Sequence, residues 1–146
     1  MGGLRALAII FVVAGLLFWW RDDKVKVVIG TTAIQAEVAD TEDERAKGLR
    51  DAVHLAANQG MLFVFPHDDR WGIWMKDMHV PIDIVWLDAG KKVVAAKTNV
   101  DPASYPAHFE PPHNARYVLE LASGAVTRYQ IEPGIRAQFD VPLPTK

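Results

Sequence analysis

The sequence contains no cysteine among its 146 residues. This absence excludes disulfide bonds, attachment of a lipid to cysteine, thiol catalysis and thiolate metal sites. The sequence also lacks a Gly-x-Ser-x-Gly motif and a glycine-rich phosphate-binding loop, so it shows no recognisable nucleophile motif. Positive charge is not in excess, because 16 Lys and Arg stand against 18 Asp and Glu. The resulting net charge of -2 argues against nucleic-acid binding.

A long uncharged run near the N-terminus predicts a membrane segment. Residues 6–20 contain neither a charged residue nor a proline, and they lie between Arg5 and Arg21. As a helix they span about 22 Å, and the two arginines, by reaching the interfaces, close most of the gap to the ~30 Å hydrocarbon core. Trp19 and Trp20 stand where an interfacial aromatic belt is expected. No small-x-small cleavage motif follows, so we expect an uncleaved anchor; the alternative is a cleaved signal peptide.

Short runs of β-branched and aromatic residues, separated by turn signals, predict a mostly β domain. The expected strands are residues 25–29, 33–38, 61–65, 72–75, 82–87, 93–98, 116–121 and 135–139. Thr41 and Glu44 form a capping-box pattern that predicts a short helix, and residues 125–129 predict a further helical turn. The four prolines of residues 99–114 exclude regular structure there. We therefore expect a single compact β-sandwich or jelly-roll-like barrel with one or two short helices, preceded by the N-terminal transmembrane helix.

The most particular pattern of the chain lies between Gly60 and Asp88. It contains Gly-Met-Leu-Phe-Val-Phe at residues 60–65, Trp-Met-Lys at residues 74–76, and Pro-Ile-Asp-Ile at residues 81–84 before an apolar run. This combination resembles the domain of unknown function 192 family. Weaker matches occur at residues 45–49, 117–121, 124 and 134. The resemblance covers about residues 27–139 and implies a compact jelly-roll-like β domain without an established activity.

One departure from the family pattern concerns the residues after Trp-Met-Lys. The family usually carries Asn-Thr there, whereas this chain has Asp77 and Met78. Members of the family commonly look exported, so the resemblance implies a periplasmic domain on a single-pass inner-membrane anchor, with secretion after signal cleavage as the alternative. We divide the chain into an anchor or signal segment (residues 1–24), a β domain (residues 25–140) and a loose Pro-rich tail (residues 141–146).

Two carboxylates stand alone in apolar predicted strands. Asp83 lies between two isoleucines, and Glu120 lies between two leucines. An unpaired buried carboxylate costs several kcal/mol, so each needs a partner or must stay protonated. We expect Lys76 to be the partner of Asp83. Arg116, four residues before Glu120 on the same strand face, is the expected partner of the second carboxylate.

We therefore predict a ligand-binding site formed by Trp74, Lys76, Asp83 and Glu120, flanked by the loop of residues 99–114. Aromatic walls with a few convergent polar groups suit a sugar, a peptidoglycan fragment or another small polar ligand. One alternative is an ion-pair or hydrogen-bond network that only fixes the fold. Another is a carboxylate pair for acid/base hydrolysis, as in glycosidases. No residue is assigned a catalytic role.

The predicted function is that of a membrane-tethered, exported binding or accessory module rather than an enzyme, with no cofactor. Its expected partners are the membrane, through the N-terminal helix, and a small polar ligand or a membrane protein. An alternative is an interaction subunit that docks on a larger membrane complex. The histidines at positions 67, 79, 108 and 113 fall in predicted loops without a recognised ligand spacing, so we expect no metal site.

Overall fold

The structure, a computed structural model, describes residues 24–144. Residues 1–23 of the predicted membrane segment and residues 145–146 of the predicted tail lie outside this range. Within the described range, no helix is long and apolar enough to cross a membrane.

The described residues form one six-stranded sheet and two short α-helices. The elements are β1 (Lys24–Ile29), β2 (Thr32–Ala39), α1 (Glu42–Lys47), β3 (Gln59–Asp69), β4 (Ile82–Leu87), β5 (Val93–Val100), a 3-10 turn (Pro102–Ser104), β6 (Ala115–Ala122) and α2 (Ala125–Arg128). The strand order is β1-β2-β3-β6-β4-β5. Neighbouring strands are antiparallel except β2 and β3, which run parallel with α1 in the crossover between them.

The mostly β class with two short helices is thus confirmed, but the prediction of a sandwich or barrel is wrong. All six strands belong to one sheet, and the described residues form no closed barrel. The segment after α2 replaces the predicted strand at residues 135–139. There Gln138 exchanges backbone hydrogen bonds of 2.8 and 2.9 Å with Val28 of β1, and Val93 of β5 donates to the Ile135 carbonyl at 2.8 Å. This segment touches both edges of the sheet, which bends around a core without closing.

Each face of the sheet carries its own apolar cluster, because side chains alternate along every strand. The inner cluster includes Val27, Ile34, Leu62, Val85, Leu119, Leu121 and Val126. The outer cluster includes Leu49, Met61, Phe63, Phe65, Ile73, Ile84, Trp86 and Val118. Helix α2 thus packs on the inner face, while the segment after α1 and the loop between β3 and β4 pack on the outer face. Every residue of β4 is buried as a result.

Most predicted strand limits differ by one or two residues from those of the structure, and two further regions differ more. Strand β3 continues through Pro66, which was expected to end it. Pro66 lies where the pairing of β3 with β6 loses its register, so its missing N–H removes no ladder hydrogen bond. The predicted strand at residues 72–75 is reduced to a single bridge between Ile73 and Phe109.

The capping box of α1 is confirmed. The Glu44 amide donates to the Thr41 hydroxyl at 3.2 Å, and the Thr41 amide donates to the Glu44 carboxylate at 3.1 Å. Both donors would otherwise be orphan groups at the start of the helix. The short helix therefore begins where the local sequence predicts.

Gly60 occupies a position in β3 where no side chain fits. A Cβ added there would lie 2.4 Å from the backbone oxygen of Glu120 and 3.0 Å from the Leu121 side chain. We expect Gly60→Ala to lower the free energy of unfolding by about 1–3 kcal/mol, as overpacking does, in urea titrations. Gly72→Ala is the matched control, because its Cβ would meet only side-chain atoms at 3.4 Å or more. Equal stability of the two variants would contradict this steric reason.

Candidate ligand-binding site

A cleft of about 270 Å³ opens on the outer face of the sheet, between α1, β3 and the loop that precedes β4. The apolar and aromatic residues that line it are Leu49, Phe63, Phe65, Ile73, Trp74 and Met78. The charged residues that line it are Glu42, Arg45, Lys47, Lys76 and Glu120. Of these, Lys76 is exposed at the rim, whereas Glu120 is only 4% exposed and lies deep in the cleft. The cleft thus combines aromatic walls with one buried acid.

Arg45 holds α1 against β3 and shapes one wall of the cleft. Its Nη1 donates to the carbonyl oxygens of Asp40 at 2.6 Å and Val64 at 2.9 Å. Its guanidinium lies 5.3 Å from the centre of the Phe65 ring, which stacks on Trp71 at 4.1 Å. In the sequence, Arg45 stands out only as part of the family match at residues 45–49. Its position one residue after the capping-box Glu44 could have indicated that it lies at the start of a helix.

Glu120 has no partner for one of its carboxyl oxygens. Oε2 is fully buried and makes no hydrogen bond with any residue the structure describes. The predicted partner, Arg116, instead donates from Nε to Asp68 Oδ1 at 2.7 Å. With its guanidinium at Asp68, Arg116 does not pair with Glu120. Burial raises the pKa of Glu120 from 4.5 to about 8. At neutral pH the group is therefore mostly the uncharged acid, which both donates and accepts hydrogen bonds.

Asp83 and Glu120 point to opposite faces of the sheet. In the ladder between β4 and β6, Asp83 lies opposite Leu121, and Ile84 lies opposite Glu120. Paired residues share a face and successive residues alternate, so the two carboxylates are separated by the sheet itself. The structure therefore does not form the carboxylate pair that glycoside hydrolysis requires.

Asp83 has two backbone partners and no role in the cleft. Its Oδ1 accepts from the Asn99 amide at 2.8 Å, and its Oδ2 accepts from the Val126 amide at 2.9 Å. The expected ion pair with Lys76 is not formed, because Lys76 Nζ lies 5.6 Å from the centre of the Trp74 ring on the outer face. For Asp83, the alternative of a network that fixes the fold is the one the structure shows.

Trp74 and the loop of residues 99–114 form an exposed aromatic group beside the cleft. Trp74 and Tyr105 are each more than two fifths exposed. Their ring centres are 5.6 Å apart, and the His108 ring lies 4.9 Å from that of Trp74. The loop thus flanks Trp74, as the sequence predicts. Of the four predicted site residues, Trp74, Lys76 and Glu120 line one cleft, and Asp83 does not.

The donor set of this region suits hydrogen bonding better than metal binding. Within residues 24–144, no three His, Asp or Glu side chains converge in a way that could hold a metal ion. Glu120 is the buried acid of the cleft, and its neighbours there are mainly apolar. One carboxyl group beside aromatic side chains is a combination that sites for small organic molecules commonly contain.

The fold is that of a small, mostly β domain with a single bent sheet, and in this chain the outer face of the sheet carries a buried acid. The chain belongs to the domain of unknown function 192 family, whose sequence model, described as an uncharacterized ACR, matches residues 24–139. The resemblance in the sequence is thus confirmed over nearly all of the described residues.

Two archaeal relatives and two solved structures are similar to the chain. A UPF0127 protein of Thermococcus gammatolerans is 34% identical over 107 residues, which cover 72% of this chain and 66% of the relative. A UPF0127 protein of Thermococcus kodakarensis is 30% identical over 102 residues, 68% and 61% of the two chains. The chain therefore spans slightly less than two thirds of these relatives' length.

The solved structures share the fold over most of their length. One is a crystal structure from Sinorhizobium meliloti, described as that of a proposed transcription regulator. It is similar to this chain with a TM-score of 0.73 and 27% sequence identity, and the match covers 80% of this chain and 92% of the Sinorhizobium meliloti chain. A protein of unknown function from Novosphingobium aromaticivorans also has a TM-score of 0.73, with 26% identity over 79% of this chain and 83% of its own.

Proposed function

We propose that this domain is a non-catalytic binding module whose outer-face cleft holds a small polar ligand. The unpartnered, buried carboxyl of Glu120 in that cleft is the observation that supports this role most directly. A buried polar group without a partner costs free energy, and native proteins retain few of them. A ligand that exchanges a hydrogen bond with Glu120 removes that cost when it binds.

The dimensions and walls of the cleft limit the ligand. Its volume of about 270 Å³ lies just below the ~300–1,000 Å³ of sites for drug-sized molecules. A monosaccharide, an amino acid or a small fragment of the cell wall is of suitable size. The exposed rings of Trp74 and Tyr105 offer flat apolar faces to the part of the ligand that stays outside the cleft.

Binding is a better proposal than hydrolysis because the cleft contains one buried carboxyl, and the other buried carboxyl, Asp83, lies behind the sheet. We do not extend the regulator description of the Sinorhizobium meliloti protein to this chain. The net charge of -2 and the pI of about 6.2 of this chain supply no electrostatic basis for binding phosphate backbones.

We further propose that residues 1–24 tether the domain to the inner membrane and that the domain lies in the periplasm. The uncharged run at residues 6–20, flanked by arginines, supports the tether. Proteolysis of spheroplasts tests the orientation. Digestion of the domain from outside is the expected result, and protection of the domain until the cells are lysed would contradict it.

The binding role predicts a ligand-dependent increase in the melting temperature of the purified full-length protein. We would screen monosaccharides, amino acids and cell-wall fragments by scanning fluorimetry. A true ligand at 100 times its Kd stabilises the protein by about 2.7 kcal/mol. Glu120→Gln and Trp74→Ala should each reduce that shift by at least half, because they change the floor and a wall of the cleft.

Lys97→Gln is the control, because Lys97 also lies over an aromatic ring, Phe109, but outside this cleft. It should leave the shift unchanged. A shift that survives both cleft variants would place the ligand elsewhere. If no compound raises the melting temperature, the exposed pair Trp74 and Tyr105 favours the alternative role of a subunit that docks on a membrane protein.

A further inference from the structure

The charged side chains of the cleft differ in whether they already form hydrogen bonds or ion pairs within the protein. Arg45 donates to two carbonyl oxygens, and Lys47 forms an ion pair of 3.2 Å with Asp51. Lys76 contacts the Trp74 ring, and among the described residues it has no ion-pair partner. Lys76 and Glu42 at the rim and the Glu120 carboxyl at depth therefore remain for a ligand.

This arrangement discriminates between ligands by charge. A simple anion would pair with Lys76, but at depth it would meet the neutral Glu120 acid, with which it forms a hydrogen bond and no ion pair. A simple cation would suit Glu120 but would pass a rim that carries Arg45, Lys47 and Lys76 against only Glu42. A molecule with both charges, its cationic end innermost, has a favourable partner at each end.

The walls also suit a buried cation. Phe63 and Trp74 line the cleft, whereas the Phe65 ring is already covered by the Arg45 guanidinium at 5.3 Å and the Trp71 ring at 4.1 Å. Aromatic faces attract ammonium groups, and this attraction is stronger where water is excluded. A carboxyl in a cleft that aromatic rings also line is a suitable site for an ammonium group, whereas a hydroxyl group gains little from the rings beyond ordinary contact.

On the basis of the binding role proposed above, we propose that the ligand is a small zwitterion, a free amino acid or a short peptide. Its ammonium group pairs with Glu120 inside the cleft, and its carboxylate reaches Lys76 at the rim. The cleft volume of about 270 Å³ accommodates a molecule of this size.

Binding of such a ligand is coupled to loss of a proton from Glu120. Burial raises the pKa of Glu120, so the free protein holds this proton at pH 7. The bound ammonium, an opposite charge, favours the carboxylate, and the carboxyl O–H then transfers its proton to the buffer. The other ionisable groups lining the cleft are Glu42, Arg45, Lys47 and Lys76.

The test is calorimetric titration of the full-length protein with a panel of free amino acids and dipeptides. For the tightest binder, two blocked analogues are then compared: the N-acetyl form, which lacks the ammonium, and the C-terminal amide, which lacks the carboxylate. Each analogue should bind at least tenfold more weakly, because each loses a charge-assisted pair. Titrations at pH 7 in two buffers with different ionisation enthalpies should show release of nearly one proton.

Variants of Glu120 and Lys76 test which residue binds each end of the ligand. Glu120→Gln should abolish the proton release and remove the preference over the N-acetyl form. Lys76→Gln should weaken binding of the parent at least fivefold, but should not weaken binding of the amide, and Lys97→Gln should change neither. Binding of a neutral sugar that depends on Glu120, without proton release, would overturn the zwitterion and leave the binding role intact. Absence of any ligand for the cleft would overturn both.

Discussion

Glu120→Gln is expected to remove most of the pH dependence of stability between pH 4.5 and pH 8. The folded-state pKa of Glu120 is raised by burial to about 8, above its ordinary 4.5. In this window the folded protein holds a proton that the unfolded chain has released, so wild-type stability falls as pH rises and levels off above pH 8. Each pH unit lowers the ratio of folded to unfolded protein about tenfold, and the whole window corresponds to on the order of 5 kcal/mol. Urea unfolding at pH 5, 7 and 9 measures the difference.

The glutamine variant should lack this decline, because its amide does not titrate and needs no charged form in the interior. Relative to wild type it should therefore gain stability from pH 5 to pH 9. Glu110→Gln is the matched control, since Glu110 is half exposed and forms a surface pair with Arg70 at 3.5 Å. That variant should stay within about 0.5 kcal/mol of wild type. Parallel curves for wild type and Glu120→Gln would show that Glu120 is ionised in the native state at neutral pH.

Asp83→Ala is expected to destabilise the protein at neutral pH by on the order of 3–5 kcal/mol. The change leaves the buried Val126 amide and the part-buried Asn99 amide without acceptors, and each hydrogen bond to a charged group contributes about 1.5–3 kcal/mol. Asp83→Asn should have a smaller effect, because one acceptor oxygen remains while the new NH2 faces a donor. The free energy of unfolding in urea at pH 7 measures both variants.

Asp88→Ala is the control for this experiment. Asp88 Oδ1 also accepts a backbone hydrogen bond, from Lys92 at 2.9 Å, but in an exposed turn. The loss there should be below about 1 kcal/mol, because water can replace the missing acceptor. If Asp83→Ala were no more destabilising than Asp88→Ala, the two hydrogen bonds to Asp83 would not be holding the fold together. Ligand binding in the cleft should survive Asp83→Asn, since that residue lies behind the sheet.

The importance of Asp83 follows from what its two partners do. Gly124, at the N-cap of α2, has no side chain to cap the helix, and Asp83 supplies the missing acceptor from β4. Asn99 has a positive φ of 52° at an irregularity in β5, and its side chain accepts from the Ser123 hydroxyl at 2.6 Å. One carboxylate therefore fixes β5 and the start of α2 relative to β4.

Local patterns were the part of the fold that could be predicted. Strand β4 has the predicted limits, and the capping box starts α1 at the predicted place. Turn residues and side-chain alternation act over a few positions, so they can be recognised in a single sequence. The strand limits at Pro66 were wrong because the effect of a proline depends on whether its N–H faces a neighbouring strand.

The candidate site could be predicted only in part. Local sequence marked the candidate residues, but it did not show which of them lie together. An isolated carboxylate in an apolar strand marked both Asp83 and Glu120 as residues that need an explanation. Alternation fixes which residues of one strand share a face, but the relation between two strands depends on their pairing register. The register of β4 with β6 places one carboxylate on each face.

By itself, the sequence determined the family, the mostly β class, the short helices and the isolated acids, because these follow from local periodicity, turn chemistry and motif spacing. Only the tertiary structure decided that six strands form one bent sheet and which partner each acid has. Those outcomes depend on contacts between residues far apart in the chain. Asp83 meets two backbone amides on the inner face, and on the outer face Glu120 Oε2 finds no hydrogen-bond partner among residues 24–144.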